Sequence, residues 1–306
     1  MTTTHKPRIG LALGCGSARG WAHIGVIRTL AEAGIVPNMV CGTSIGALVG
    51  AAYVDGDLDR LEQWSKSLTL QTVVGFLDFS LGGGLIKGEK LIEFFRSQFV
   101  DVPISELSLP FAAVATDLQT GREVWLQEGM VSDAVRSSIA LPGLFTPVEH
   151  EGRWLVDGGL VNPVPVSLCR AMGADLVIAV DLNSDIVGKH LRKARASKTA
   201  APDNPAGAGD TMLARIHSGM AALGITNSKS PDNRPSMLEV LASSINIMQA
   251  RITRSRLAGD PADVLIAPRL AEFGLMEFHR AAVAIEIGSR ATKPLLPQIH
   301  LLLENG

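Results

Sequence analysis

Short apolar runs alternate with longer amphipathic ones along this chain. Ile9-Gly10-Leu11-Ala12-Leu13 is apolar without a break, the pattern of a strand buried on both faces. A helical pattern follows from about Trp21 to Ala33, closed by Gly34 and then Pro37. Val40 and its neighbours predict a second strand, and the small and apolar residues through about Tyr53 predict a second helix. Strand, helix, strand, helix implies parallel pairing with a right-handed crossover. Residues 57–67 read as a surface helix, and Glu89 to about Phe99 as another. Phe111–Thr116 is a buried strand, with Glu123–Leu126 as its hairpin partner across Thr120-Gly121. A helix is expected over about Val131–Ser138, then a hairpin of Pro147–His150 with Arg153–Val156. Another helix should begin near Pro163 or Pro165, and Asp175–Asp181 reads as a strong buried strand.

After that strand the pattern stops. Lys189, Arg192, Lys193, Arg195 and Lys198 are followed by Ala, Pro, Asn and Gly. Residues 184–235 therefore read as a flexible excursion, and the basic stretch 189–198 as a solvated loop that could also touch anionic lipid. Order returns with a helix at about Ser236–Leu257, a strand at Val264–Ile266 and a terminal helix after Glu277. The chain thus reads as one α/β domain over 1–306. Its motifs lie within 8–182, and 236–306 adds helices and a strand that complete the domain. Residues 68–88, rich in Leu, Val and Phe and then Gly, read as a connection over the core or as a lid. They are not a P-loop, because Glu89 stands where that motif needs lysine.

Composition narrows the class. Hydrophobic residues make up 46% and charged ones 19%, so a large core is available. The net charge of −2 gives no overall pull toward nucleic acid or anionic membrane. Cys15, Cys41 and Cys169 form no C-x-x-C pair and no disulfide framework. The polar start and the lack of any 18-residue apolar run predict a cytoplasmic protein, with peripheral membrane contact left open.

Two glycine-rich turns carry candidate chemistry. Gly42-Thr43-Ser44-Ile45-Gly46 has the form of a nucleophile elbow, in which a serine sits at a tight strand-to-helix turn. Its glycines leave room across the turn, and the helix start behind Ser44 favours developing negative charge. Gly14-Cys15-Gly16-Ser17-Ala18-Arg19-Gly20 fails as a dinucleotide fingerprint: Arg19 takes the place of the last glycine, and no acid follows the second strand. It fits an anion-binding nest instead. Parallel strands open on one sheet edge, so Gly16-Ser17 should lie beside Ser44. Arg19 would contact an anion or substrate there, or cap a core turn.

Ser44 needs a base. His190 and His217 fall in the excursion, His279 and His300 in the terminal helix, and His23 in a helix before the serine. Asp157, leaving a strand in Asp157-Gly158-Gly159, could act directly if the contact were close and water scarce. Both kinds of base remain open on the residues alone.

Four motifs in order, Gly14–Gly20, Gly42–Gly46, Ser138-Ile139-Ala140-Leu141-Pro142 and Asp157-Gly158-Gly159, resemble the blocks of patatin-like phospholipases. Arg256-Leu257-Ala258-Gly259-Asp260-Pro261 is similar to a piece of their bacterial RssA-type subgroup. The resemblance implies a three-layer αβα fold with a central, mostly parallel sheet, and hydrolysis of lipid acyl esters by a Ser–Asp dyad without histidine, metal, nucleotide or other cofactor; the net charge gives no reason to expect a nucleic-acid partner. It implies Ser44 as nucleophile, Asp157 as base and the backbone N–H groups around Gly16 and Ser17 as oxyanion hole, with Arg19 beside them. Cys15 and Ser17 stand where family members often have glycine. Their N–H groups serve equally unless the turn demands a positive φ there. Two alternatives are a His-dependent esterase or thioesterase, and a regulatory or scaffold protein on the same fold.

Overall fold

The computed structural model describes residues 6–75, 89–98, 101–186 and 237–305. His190, His217, the basic stretch 189–198 and nearly all of the expected excursion lie outside the described residues, as does most of the expected lid.

The described residues form one sheet of β1 (Ile9–Leu13), β2 (Met39–Thr43), β3 (Phe111–Asp117), β4 (Glu123–Leu126), β5 (Val148–His150), β6 (Arg153–Asp157), β7 (Leu176–Val180) and β8 (Val264–Ile266). Its path runs β5-β6-β3-β2-β1-β7-β8, with β4 paired to β3 off that path. The pairings from β3 through β2, β1 and β7 to β8 are parallel, and those of β4, β5 and β6 are antiparallel. The helices are α1 (Ala22–Glu32), α2 (Ile45–Val54), α3 (Leu58–Ser67), α4 (Leu70–Gly75), α5 (Glu89–Gln98), α6 (Val131–Ser138), α7 (Val166–Ala171), α8 (Met237–Gly259), α9 (Ala281–Thr292) and α10 (Leu296–Asn305).

Unbroken apolar strands make two cores, because successive side chains leave on opposite faces. Leu11, Leu13, Val40, Phe111, Ile178 and Val180 pack toward α1, α2 and α9. Ala12, Cys41, Ala112, Val177 and Ala179 pack with Leu168 and Cys169 of α7, with Leu257 of α8 packed against that cluster. The result is the expected three layers with a mostly parallel central sheet.

Two element boundaries differ from the sequence reading. Ser17–Trp21 forms a 3-10 turn before α1. The single terminal helix is broken: Phe278–Arg280 is a separate 3-10 turn, and Lys293–Leu295 separates α9 from α10. Pro294 explains the second break, since it lacks the N–H needed to continue the ladder. His279 consequently lies in the 3-10 turn rather than in a helix, and His300 lies in α10.

Helices α1 and α9 cross backbone to backbone. A Cβ on Gly25 would lie 1.9 Å from the Ile285 carbonyl oxygen, and one on Gly288 would lie 2.0 Å from that of Ala22. The Thr29 hydroxyl donates to Ser289 Oγ at 2.9 Å beside this contact. Gly288→Ala should therefore force the helices apart and cost about 3 kcal/mol of stability. Urea denaturation checks this, and an unchanged midpoint would refute the close crossing.

Candidate active site

Strand β3 brings the two ends of the site together. Its residues 113–116 pair with β4 along one edge. On the other edge β2 pairs with 111–114 and β6 with 115–117. These two strands run in opposite directions and meet end to end: Thr43 lies opposite Val114, and Asp157 lies opposite Ala115. The next residue after Thr43 is Ser44. Its Oγ donates to Asp157 Oδ2 at 2.6 Å, across 113 positions of sequence.

The junction is sealed by Ser138, at the end of α6. Ser138 Oγ accepts the Ser44 N–H at 2.8 Å and donates to the Val114 carbonyl at 2.6 Å. It thereby fills the step where β2 leaves β3. Gly158 fits there for lack of a side chain, as its Cβ would lie 2.2 Å from that same Val114 oxygen.

The elbow is sharp. Ser44 has φ 58° and ψ −125°, a left-handed φ that L side chains rarely adopt. A Cβ at Gly46 would stand 2.1 Å from the Leu13 carbonyl oxygen, so glycine is required for α2 to start against β1.

Asp157 is buried. Its Oδ1 accepts the Gly159 N–H at 2.7 Å, while the Thr116 hydroxyl donates to its main-chain carbonyl at 2.8 Å. Burial raises its carboxyl to about 6, with the Ser44 hydroxyl and the Gly159 N–H pulling the other way. The carboxylate thus lies in a dry place, against one hydroxyl and one amide.

The glycine-rich turn lies beside this pair. Cys15, Gly16, Ser17 and Arg19 line the same cleft as Ser44 and Asp157. The turn does demand a left-handed φ at Ser17, which adopts 52°, while Gly16 is extended at 171°. Ser17 Oγ donates to the Leu275 carbonyl at 2.6 Å, which ties the unusual conformation to the far wall. The N–H groups of Gly16 and Ser17 stand before the 3-10 turn has any acceptor for them, and they have none among the described residues.

Arg19 is buried. Its Nε donates to the Gly16 carbonyl at 2.9 Å and its Nη2 to Asn246 Oδ1 at 3.1 Å. Burial lowers its guanidinium only to about 10, with Cys15, Asp185 and Asp181 opposing, so it remains charged at neutral pH. It both lines the cleft and ties the turn. His23 is a core residue: its ring donates through Nε2 to the Gly14 carbonyl at 2.8 Å, and burial lowers it to about 4. Neither His279 nor His300 lines the cleft.

The cleft is open to solvent at its mouth. Its walls are mostly apolar, with Leu48, Leu141, Leu144, Phe145, Ile245 and Phe278 among them. Asn246 and Gln249 of α8 complete its polar end, which the sequence pattern alone does not reveal. Nothing local in the α8 sequence marks them, because their place depends on how α8 returns to the sheet. Ser138 lay in a recognised motif, but its bridging position needed the β3 register to appear.

Among the described residues no group of His, Cys, Asp and Glu could hold a metal ion, and no helix is long and apolar enough to cross a membrane. The three cysteines are free and buried.

Several known proteins are similar to this chain. An uncharacterised NTE family protein of Mycobacterium tuberculosis is 36% identical over 323 aligned residues, covering 92% of this chain and 89% of that protein. Human patatin-like phospholipase domain-containing protein 6 is 35% identical over 184 residues, 58% of this chain but 13% of that much longer protein. Among solved structures, VipD from Legionella pneumophila superposes with a TM-score of 0.49 at 15% identity, covering 96% of this chain and 67% of that one. The family model of the patatin-like phospholipases matches residues 11–170. This chain belongs to the patatin-like phospholipase family.

Proposed function

We propose that the chain is one hydrolase domain that cleaves acyl esters of lipids with a Ser44–Asp157 dyad. The observation that carries this reading is the 2.6 Å contact between Ser44 Oγ and Asp157 Oδ2 in an apolar cleft. Ser44 Oγ attacks the ester carbonyl carbon as its proton passes to Asp157 Oδ2. The carbonyl oxygen gains the negative charge and is received by the N–H groups of Gly16 and Ser17. Collapse of the tetrahedral intermediate expels the alcohol, which takes the proton from Asp157 and leaves an acyl-serine. Water then attacks the acyl-serine as its proton passes to Asp157, and collapse releases the fatty acid while Asp157 returns that proton to Ser44 Oγ.

Each step draws on a physical feature of the site. A carboxylate near pKa 4 is a poor base for a hydroxyl, and burial that raises it to about 6 narrows the gap. Direct contact removes the need for a relaying histidine. The apolar wall suits an acyl chain, and Arg19 with its fixed charge suits the polar part of a lipid substrate or product.

Fatty acid release from phospholipid vesicles tests the reading. Ser44→Ala should lower turnover by at least about 1,000-fold, as loss of an acyl-transfer nucleophile does elsewhere. Equal release by variant and wild type would refute it.

Activity should also depend on pH with a defined sign. Asp157 works as a base only when ionised, so kcat/KM should rise with pH through about 6 and then level off. A profile without an inflection in that region would remove Asp157 from the role.

The same raised pKa bears on stability. A carboxyl raised in the folded state favours folding in full below its ordinary value near 4, and that contribution is lost as pH rises through about 6. Asp157→Asn has no charge to bury. It should exceed the wild type in stability by roughly 2 kcal/mol at pH 8, with the difference closing below pH 4. Thermal unfolding of both proteins at the two pH values checks this.

A further inference from the structure

A trans peptide carries its C=O and N–H on opposite sides, so fixing one aims the other. The three consecutive peptides from Gly14 to Ser17 each have their carbonyl fixed by a buried side chain. His23 Nε2 donates to the Gly14 carbonyl at 2.8 Å, and the N–H of that same peptide, on Cys15, donates to the Pro163 carbonyl at 2.8 Å. Asn183 Nδ2 donates to the Cys15 carbonyl at 3.2 Å. Arg19 Nε donates to the Gly16 carbonyl at 2.9 Å. The N–H groups on the other side of the last two peptides are those of Gly16 and Ser17.

Asn183 lies beyond residues 11–170 of the family match, just past β7. Asp181 Oδ1 accepts its main-chain N–H at 2.8 Å, a turn that presents the side chain to the loop. Its amide nitrogen faces three acceptors, the Cys15 carbonyl, Cys15 Sγ at 3.4 Å and Gln249 Oε1 at 3.4 Å, which settles which end is the donor. Both Asn183 and His23 are buried, and in both the acceptor atom has no partner among the described residues. An orphaned buried acceptor is costly, so packing alone does not account for either residue. What each uses is its donor, and in each case that donor reaches a carbonyl of the loop.

We infer that Asn183 and His23 are positioning residues for the hydrolysis: they clamp the Cys15 and Gly14 carbonyls away from the cleft so that the Gly16 N–H is aimed at the oxyanion. The inference rests on the proposed dyad and oxyanion hole. It adds that the hole is preorganised by side chains that never touch substrate.

The test compares wild type, Asn183→Leu, His23→Leu and His23→Gln in kcat, KM and inhibition by a long-chain alkyl trifluoromethyl ketone, whose serine adduct carries an oxyanion in the same place. Removing an oxyanion donor outright costs about 100- to 1,000-fold in kcat, and an amide left unaimed should cost at least about 10-fold. Both leucine variants should show that loss with KM within about twofold, and ketone inhibition should weaken by the factor that kcat/KM loses. His23→Gln, which restores a donor at similar reach, should recover most of it. If a leucine variant fails to fold, Asn183→Ser, smaller and uncharged, takes its place. Unchanged kcat in the folded variants would overturn the inference while leaving the dyad intact. Lower kcat with undiminished ketone affinity, or no rescue by glutamine, would also overturn it. Absence of Ser44-dependent turnover in the wild type would remove the dyad reading itself, and the inference with it.

Discussion

Everything at this site depends on one edge of β3 being shared. A single strand there would extend the sheet and leave no opening. Two strands arriving from opposite directions, β2 over 111–114 and β6 over 115–117, must both stop where they meet. Each stop forces a turn, and each turn presents a side chain to the other. On one side that side chain is Ser44, at the start of α2, and on the other it is Asp157, at the cap of a 3-10 turn. Their contact is a consequence of register, so a one-residue slip of either strand on β3 would separate them. Ser138 guards that register, since its hydroxyl takes both the Ser44 N–H and the Val114 carbonyl that the interrupted ladder would otherwise leave unpaired.

Polar burial around the junction is asymmetric. Asp157 accepts one hydroxyl and one amide, and among the described residues no cation lies close enough to lower its pKa, so burial dominates. Arg19, within the same cleft, is turned toward the Gly16 carbonyl and Asn246. The positive charge therefore stabilises the glycine turn without neutralising the acid. A salt bridge between the two would hold Asp157 far below neutral and weaken it as a base. Their separation keeps one cleft supplied with a raised carboxyl and a fixed cation.

Much of this is legible in the sequence, for local reasons. Buried parallel strands announce themselves as unbroken apolar runs, and β1, β2, β3 and β7 do so. The elbow and the Asp-Gly-Gly turn are marked by glycines, because close backbone approach admits nothing larger. What stays hidden is set by distant contact. The residues lining the cleft from α8 sit in a helix whose local pattern is ordinary. The left-handed φ of Ser17 has no local signal either, since a serine there is accommodated through the Leu275 carbonyl, 258 positions away. Asn183 lies in the short turn after β7, and its donor becomes meaningful only once the Cys15 carbonyl is known to face it. The break between α9 and α10 had a visible cause in Pro294, which a reading by apolar periodicity alone passes over.

The strained positions and the costly buried groups lie together. Among the described residues three non-glycines have positive φ, and two of them, Ser17 and Ser44, line the cleft. Asp157, raised by burial, lies between the same walls. Such features persist only where the surroundings over-determine them. Here the surroundings are two packed layers on a sheet whose central strands are fully buried, and a helix pair, α1 and α9, locked at backbone distance through Gly25 and Gly288. His23 belongs to α1, the helix in that lock. Rigidity made in the helical layer therefore reaches the Gly14 carbonyl through one side chain, which connects the packing of the outer layer to the aim of the amides beside Ser44.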